Sequence, residues 1–308
     1  MNRISEIIEK AKTLGRRRLA VASAQEAAVL EAVADAYREG IVEPILVGDP
    51  GAIEAAAAGA NEGRGVDISS FRIVAEPSPN AAAARAVALV RSGEADVLMK
   101  GIIDTSLLLR TALNKETGLN AGRLASHVAV MEVATYHKLL VITDAALNIA
   151  PDLSAFVDII NSAVTVADAL EVKTPKVALL AAVEKVNPEK MPCTVTASIL
   201  TQMNRRGQIK NCIVDGPLAL DNAISAESAR IKKIQSEVAG DADILVVPDI
   251  EAGNILYKCL LDLAGAKGAA VIMGASVPMV LTSRADTAET KLASIALASL
   301  LGEKGLRA

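Results

Sequence analysis

Short apolar runs and alanine-rich amphipathic stretches alternate along the whole chain. The runs at 19–23, 44–47, 72–75, 97–99, 139–143, 176–180, 213–215, 244–247, 270–273 and 279–281 are brief and dominated by aliphatic residues. Bounded by polar or glycine-bearing segments, they predict buried strands. Helical spacing predicts helices over 24–38, 80–92, 154–170 and 195–204, with an amphipathic charged helix over 1–12. Strand, helix, strand in repetition is the signature of βαβ units, and so of mostly parallel sheets flanked by helices. No internal repeat, low-complexity tail or flexible linker interrupts the rhythm. A polar break at Thr135-Tyr136-His137-Lys138 precedes a fresh strand, and a crossing back is placed near Ser283. The expected organisation is a discontinuous first α/β domain, 1–137 plus 284–308, and a second α/β domain, 138–283. The final helix is expected to pack on the first.

Composition narrows the function classes. A chain of 308 residues supports about two domains with substantial cores. Hydrophobic residues make up 52%, but aromatics only 2% with no tryptophan, which suits closely packed small helices over aliphatic strands. Stacking platforms for single-stranded nucleic acid need aromatics, and a net charge of -4 does not attract a polyanion, so no nucleic-acid partner is expected. The basic cluster Arg16-Arg17-Arg18 reads as the solvated end of the first helix. Cys193, Cys212 and Cys259 are odd in number and scattered, which gives neither a disulfide framework nor a zinc pattern. His127 and His137 are not at helical metal spacing, and no metal site is expected. No apolar run approaches the roughly 20 residues that span a bilayer. The expectation is a reduced cytoplasmic protein without a membrane partner.

Chemistry is concentrated just beyond the predicted strand ends. After the run 279–281 come Thr282-Ser283-Arg284, then a helix for which Asp286 reads as N-cap and Glu289 as its capping-box partner. Unpaired N–H groups and the helix dipole favour anions at such a turn, so Arg284 is either a phosphate ligand or a solvated neighbour of an ordinary cap. After 97–99, Gly101 suits a tight turn, Asp104 or Thr105 suits a cap, and Arg110 points at the same anion or at solvent. Asp215 and Asp221 follow another strand with Gly216-Pro217 between them. They bind hydroxyl or amide groups of a polar substrate, or Asp221 or Asn222 caps a helix over 226–234. In the stretch Pro248-Asp-Ile-Glu-Ala-Gly-Asn254, Gly253 suits close approach of backbone to a ligand, with Asn254 opening a helix. Nucleotide-loop, dinucleotide and esterase-elbow motifs are missing. Cys193 reads as a small buried hydrophobe rather than a nucleophile.

Taken in order, several stretches form one pattern. They are Met99-Lys-Gly-Ile-Ile-Asp-Thr-Ser106, Leu109-Arg-Thr-Ala-Leu-Asn-Lys-Glu-Thr-Gly-Leu119, Ser126-His127, Thr143-Asp-Ala-Ala-Leu-Asn-Ile-Ala-Pro-Asp152, Ala182-Val-Glu-Lys-Val-Asn-Pro188, Asp215 to Asn222, Pro248 to Lys258 and Thr282-Ser-Arg-Ala-Asp286. The set resembles the phosphate acetyl/butyryltransferase family, and within it the butyryl branch, over nearly the whole chain. The resemblance implies an isocitrate-dehydrogenase-like fold of two α/β domains with a cleft between them, commonly a homodimer. It implies acyl transfer between coenzyme A and inorganic phosphate, with CoA as a substrate and no cofactor. It also implies that Ser283-Arg284 lines the cleft and that an acidic residue serves the CoA thiol. The acetyl branch carries Ser-Arg-Gly and an aspartate seven residues after the serine, whereas here Ala285 and Thr290 stand there and the base falls to Glu289 or Asp286. Phosphate is assigned to Arg284 and Arg110 with Thr105 and Ser126 as donors, and the oxyanion to Ser283 with its backbone N–H. His127, Asp144, Asn148, Asp215, Asp221, Gly253 and Asn254 are the remaining substrate-binding candidates. The alternatives are phosphate acetyltransferase, a metal-dependent dehydrogenase of the same architecture, and a non-catalytic relative.

Overall fold

Among the described residues, 1–283 and 286–303 of this computed structural model, eleven strands alternate with eleven α-helices. First come α1 (Ile4–Lys12), β1 (Arg17–Ala22), α2 (Ala27–Arg38), β2 (Val42–Gly48), α3 (Pro50–Gly59), β3 (Arg72–Ala75), α4 (Pro79–Arg91), β4 (Val97–Lys100) and α5 (Thr105–Ala112). Then follow β5 (Ser126–Glu132), β6 (Leu140–Thr143), α6 (Leu153–Ala169), β7 (Lys176–Leu180), α7 (Cys193–Arg205), β8 (Ile213–Leu218), α8 (Leu220–Ile224), α9 (Ala226–Ile231), β9 (Ile244–Val246) and α10 (Ile250–Lys258). Last are β10 (Lys267–Met273), β11 (Met279–Val280) and α11 (Ala288–Glu303). No described helix is long and apolar enough to cross a membrane.

The chain folds as two units: Ser5–Arg123 with Ala269–Ala308, outer in chain order and so named the outer unit, and Met1–Ile4 with Leu124–Gly268, mostly the middle of the chain and so named the central unit. The expected crossings at 137/138 and 283/284 differ from these, which fall at 123/124 and 268/269. Pairing explains both differences. β5 lies antiparallel to β6, so it goes with the strand that follows it, and β11 lies parallel to β4, which draws β10 and β11 to the outer unit. The Thr135–Lys138 break is tied down within the central unit: the Tyr136 hydroxyl donates to the Ala242 carbonyl at 2.7 Å and Lys138 Nζ pairs with Asp243 at 2.6 Å.

In the outer unit the strand order is β3-β2-β1-β4-β11-β10, parallel except for β10 against β11. The order turns at β1, with β2 on one side and β4 on the other, and such reversals open the sheet's carboxyl edge to ligands. Leu19, Ala20, Val21 and Ala22 are fully buried, as expected of a parallel strand covered on both faces. α11, with Ala293, Ile295, Ala296, Leu297 and Ala298 fully buried, packs on α2, whose inner face is Val29, Leu30, Ala32, Val33 and Ala36. Alanine on both partners lets the helices approach closely.

The central unit has the order β5-β6-β9-β7-β8, parallel except for β5 against β6. Strand β5 is a departure from the expected strands: its polar opening, Ser126-His127, hides a run, Val128 to Met131, that is fully buried. Several helices start on short polar caps. Asp49, Ser78, Asp152 and Asp249 accept from the backbone N–H three residues on, at 2.7, 3.2, 2.8 and 2.8 Å. Each such cap stabilises its helix by about 1 kcal/mol.

One cluster in this unit makes stability pH-dependent. Asp241 is bonded by Lys176 Nζ at 2.7 Å, Lys138 Nζ at 2.9 Å and His137 Nε2 at 3.0 Å. Burial alone would raise its pKa, but the two lysines and the histidine outweigh it and hold the carboxyl far below the ordinary carboxylate range. A group depressed in the folded state stabilises above its unfolded pKa of about 4 and loses that contribution as pH falls through the folded value. Lys176→Met is expected to move the acid-unfolding midpoint, followed by circular dichroism, to higher pH. A midpoint unchanged from wild type would remove Asp241 from the acid response.

Candidate active site

In the outer unit, neighbouring parallel strands β4 and β11 deliver their following loops to the same edge of the sheet, with Met279 beside Leu98 and Val280 beside Met99. β4 ends on Lys100, a buried residue whose ammonium donates to the Gly101 carbonyl at 3.2 Å. Gly101 N–H then bonds the Ala22 carbonyl at 2.8 Å, and Ile102 N–H the Ser23 carbonyl at 2.8 Å, so the β1–β4 crossing stays tight past the strand ends. Asp104, not Thr105, caps α5: its Oδ1 accepts from Ser106 N–H at 2.8 Å, Ser106 Oγ at 2.6 Å and Leu107 N–H at 3.2 Å. Those bonds, the serine hydroxyl foremost, lower the Asp104 pKa. Thr105 is the first helical residue and is exposed, and Arg110, also exposed, has a guanidinium with no hydrogen bond or ion pair to another described residue.

The loop after β11 departs from the expected capping box. Thr287 is the cap of α11, its Oγ1 accepting from Thr290 N–H at 3.1 Å. Asp286 instead folds back: its Oδ2 accepts from Ser283 N–H at 2.7 Å, and its own N–H donates to the Ser283 carbonyl at 3.2 Å. Helix α11 begins one residue later than a cap at Asp286 requires, because threonine caps nearly as well as aspartate and the aspartate is engaged in the turn. The Ser283 N–H is therefore bonded within the turn, while the Ser283 side chain is exposed. Glu289 is exposed in the first turn of α11, where a carboxylate suits the helix dipole. Arg284 lies outside the described residues.

Lys291, which sequence reasoning passed over, lies one residue beyond Thr290 and is 1% exposed. A lysine between Thr290 and Leu292 reads from sequence as one more charge on a helix; nothing in its spacing announces burial.

In the central unit, antiparallel β5 brings its beginning to the edge where parallel β6 ends, with Val128 beside Thr143. Ser126, fully buried, carries a hydroxyl with no hydrogen-bond partner among the described residues. His127, also buried, stacks edge-on against Tyr257 at 5.5 Å. Asp144 organises the loop after β6. Its Oδ1 accepts from Ala146 N–H at 2.8 Å and Leu147 N–H at 3.0 Å, and its Oδ2 from His127 N–H at 3.1 Å and Asn148 Nδ2 at 2.6 Å. Asn148 also donates to the Ala125 carbonyl at 2.9 Å. Four donors occupy the Asp144 carboxylate, so the Asp144–Asn148 pair fastens the start of β5 to the end of β6.

The expectations for Gly253 and Asn254 change in the structure. α10 opens at Ile250 under the Asp249 cap, so Asn254 lies within the helix and does not begin it. A Cβ on Gly253 would stand 2.5 Å from the Asp144 carbonyl oxygen, which shows that the close approach is to the Asp144–Ala145 backbone. Asn254 Nδ2 reaches the Ala145 carbonyl at 3.2 Å. Both residues therefore seat α10 on the Asp144 loop.

Asp215 and Asp221 have separate surroundings. Asp215 lines a recess with Asn204, Arg205, Gln235, Ser236 and Glu237. Asp221 accepts from Ser228 Oγ at 2.6 Å and pairs with Lys232 at 3.3 Å, and the serine bond leads in lowering its pKa. Neither Asp221 nor Asn222 caps the following helix; Ser225 does, its Oγ accepting from Ser228 N–H at 3.2 Å. Asn222 bonds Glu184 instead. Burial raises the Cys193 thiol above its ordinary range, which keeps it protonated and a poor nucleophile at neutral pH.

Comparison with known proteins turns this geometry into an assignment. The family model described as phosphate acetyl/butaryl transferase matches residues 62–299. The chain belongs to the phosphate acetyl/butyryltransferase family. A phosphate butyryltransferase of Clostridium acetobutylicum is 49% identical over 96% of this chain and 97% of its own length. A phosphate acetyltransferase of Thermotoga maritima is 47% identical over 96% of this chain and 99% of its own. The crystal structure of a branched-chain phosphotransacylase from Enterococcus faecalis V583 superposes with a TM-score of 0.80 at 35% identity, covering 93% of this chain and 99% of that one. The chain is thus a member of a transferase family over nearly its full length, on an α/β fold shared with phosphotransacylases.

Proposed function

We propose that this chain transfers a short acyl group, butyryl in preference, between coenzyme A and inorganic phosphate: butyryl-CoA and phosphate giving butyryl phosphate and CoA. Family membership along almost the whole chain supports the reaction class. The observation that supports the site is the adjacency of β4 and β11, which sends the segment opening α5 at Thr105 and the segment of Ser283 from the same edge of the sheet, with Arg110 farther along α5. Phosphate is a weak nucleophile in water, and holding it about 3 Å from the thioester carbonyl is worth several kcal/mol. Arg110, with Arg284, the residue after Ser283 in the sequence, is assigned the cationic grip, and Thr105 a hydroxyl donor. Ser126, whose buried hydroxyl has no partner among the described residues, is a candidate donor to substrate within its own unit. Carbonyl charge in the transition state requires preorganised donors. The Ser283 hydroxyl takes that role, since the Ser283 N–H is bonded to Asp286. Glu289 is then the better base for the CoA thiol, because Asp286 is committed to the turn. Attack is direct, in a ternary complex, without an acyl-enzyme and without a cofactor. A homodimer and a cytoplasmic setting complete the reading, and the three unpaired thiols suit a reducing compartment.

The test is thiol release from acyl-CoAs of increasing chain length, with and without phosphate. Strictly phosphate-dependent release, fastest with the butyryl substrate, is the expected result. Best turnover of acetyl-CoA would make the chain a phosphate acetyltransferase, and release that ignores phosphate would end the proposal. One methylene in an apolar pocket discriminates by only about 10–200-fold, so the whole series is needed.

A further inference from the structure

Among the described residues Lys291 is the largest of the fully buried side chains, at 1% exposure, and it lies in the opening turns of α11. Both facts are unfavourable for a cation. The first turn of a helix carries partial positive charge, which repels an ammonium, and burial strips the ammonium of water. The group has three donors to satisfy. Among the described residues it has one bond, from Nζ to the Asp286 carbonyl oxygen, and no carboxylate partner. Buried charges are ordinarily paired, and this ammonium has no carboxylate partner among the described residues.

Its bond shows where the charge is directed. A helical side chain leans toward its helix's N-terminus, and Lys291 Nζ accordingly reaches back five residues to the turn Ser283–Asp286. That turn is closed by Asp286 Oδ2 on Ser283 N–H at 2.7 Å and by Asp286 N–H on the Ser283 carbonyl at 3.2 Å. Lys291 thus holds, through the Asp286 carbonyl, the end of the segment that the proposed function assigns to phosphate. We infer that Lys291 is a positioning residue for phosphate: its buried ammonium fixes the Ser283–Asp286 turn and supplies a standing positive charge that a bound phosphate anion completes. The inference rests on the phosphate-acyl transfer reading and adds to it a residue that does not touch the reacting atoms.

The charge-removing variant Lys291→Met, similar in length and apolar, separates this role from a structural one. Relief of an uncompensated buried charge is expected to leave the melting temperature without phosphate equal to or above that of wild type. The melting-temperature rise produced by inorganic phosphate, against chloride at matched ionic strength, is expected to be largely lost. The KM for phosphate is expected to rise at least tenfold, with the KM for butyryl-CoA changed less than threefold. Lys291→Arg, which keeps the charge, should recover part of the phosphate response, and it serves as the decisive variant if Lys291→Met does not fold. Arg equal to wild type or intermediate supports the role; Arg with no phosphate response overturns it. A phosphate KM and phosphate-induced shift unchanged in Lys291→Met, or a fall in melting temperature as its sole effect, also overturns it. Wild-type controls keep the two readings apart. Phosphate-dependent CoA release with a normal phosphate response in Lys291→Met sinks the Lys291 role alone, whereas absence of both turnover and phosphate binding in wild type sinks both.

Discussion

Arg284→Ala is expected to lower kcat/KM about a thousandfold while leaving the melting curve unchanged. Loss of one preorganised charge-stabilising contact costs about 10²–10³ in rate, and a guanidinium lost from a phosphate costs at the upper end. Position is the basis. In sequence Arg284 directly follows the exposed Ser283, whose N–H is bonded by Asp286, on the segment after the strand next to β4. Lysine cannot reproduce a two-pronged grip, so Arg284→Lys should recover only part of the loss. Steady-state kinetics with phosphate varied at saturating butyryl-CoA decide the matter. A rate within tenfold of wild type would take Arg284 out of the mechanism and leave Arg110 as the remaining phosphate cation.

Gly101→Ala is the stability change with the largest expected effect. A Cβ there would lie 2.0 Å from the Ser23 carbonyl oxygen, 2.7 Å from its carbon and 2.9 Å from the Ala22 carbonyl oxygen. All three are backbone atoms of the segment leaving β1, and no side-chain rotation relieves the overlap. Either the β1–β4 pairing opens, losing the bonds to Ala22 and Ser23, or the strand ends shift. The expected loss is about 3 kcal/mol or more, roughly 6–12 °C in the melting midpoint for a unit of this size. The same displacement moves Lys100 and the start of α5, so activity should fall alongside stability. Scanning calorimetry reads it, and a midpoint within 2 °C of wild type would show that the crossing is looser than it is here.

Much of the fold was legible because its signals are local. Short aliphatic runs with helical stretches between them mark strands and helices without reference to partners, and all ten expected strand runs overlap strands of the structure. The missed β5 is instructive. Its buried run starts on Ser126-His127, residues that invite a chemical reading, and no crossover helix separates it from β6, its antiparallel partner, to announce it. Helix caps were legible only in part. Ser, Thr, Asp and Asn compete at neighbouring positions with nearly equal energies, so Asp286 or Thr287, and Asp221, Asn222 or Ser225, could not be ranked until each side chain's other partners were known. Gly101 and Gly253 were noticed as glycines, but what approaches them is backbone from segments 78 and 109 residues away in the chain, Ser23 and Asp144.

By itself the sequence determined the α/β class, the order of most elements, and the ordered motifs by which this chain resembles its family. Each of these rests on short-range periodicity or on residues adjacent along the chain. The tertiary structure decided the strand order, which puts the loops of β4 and β11 side by side although Lys100 and Met279 are far apart in sequence. It also decided which polar groups are already engaged: the Asp144 carboxylate holding its loop, the Asp286 carboxylate bonded to Ser283 N–H, and the buried Lys291 ammonium bonded to the Asp286 carbonyl. Burial and pairing are properties of what surrounds a residue in space, and a single sequence specifies that environment only through the folded chain.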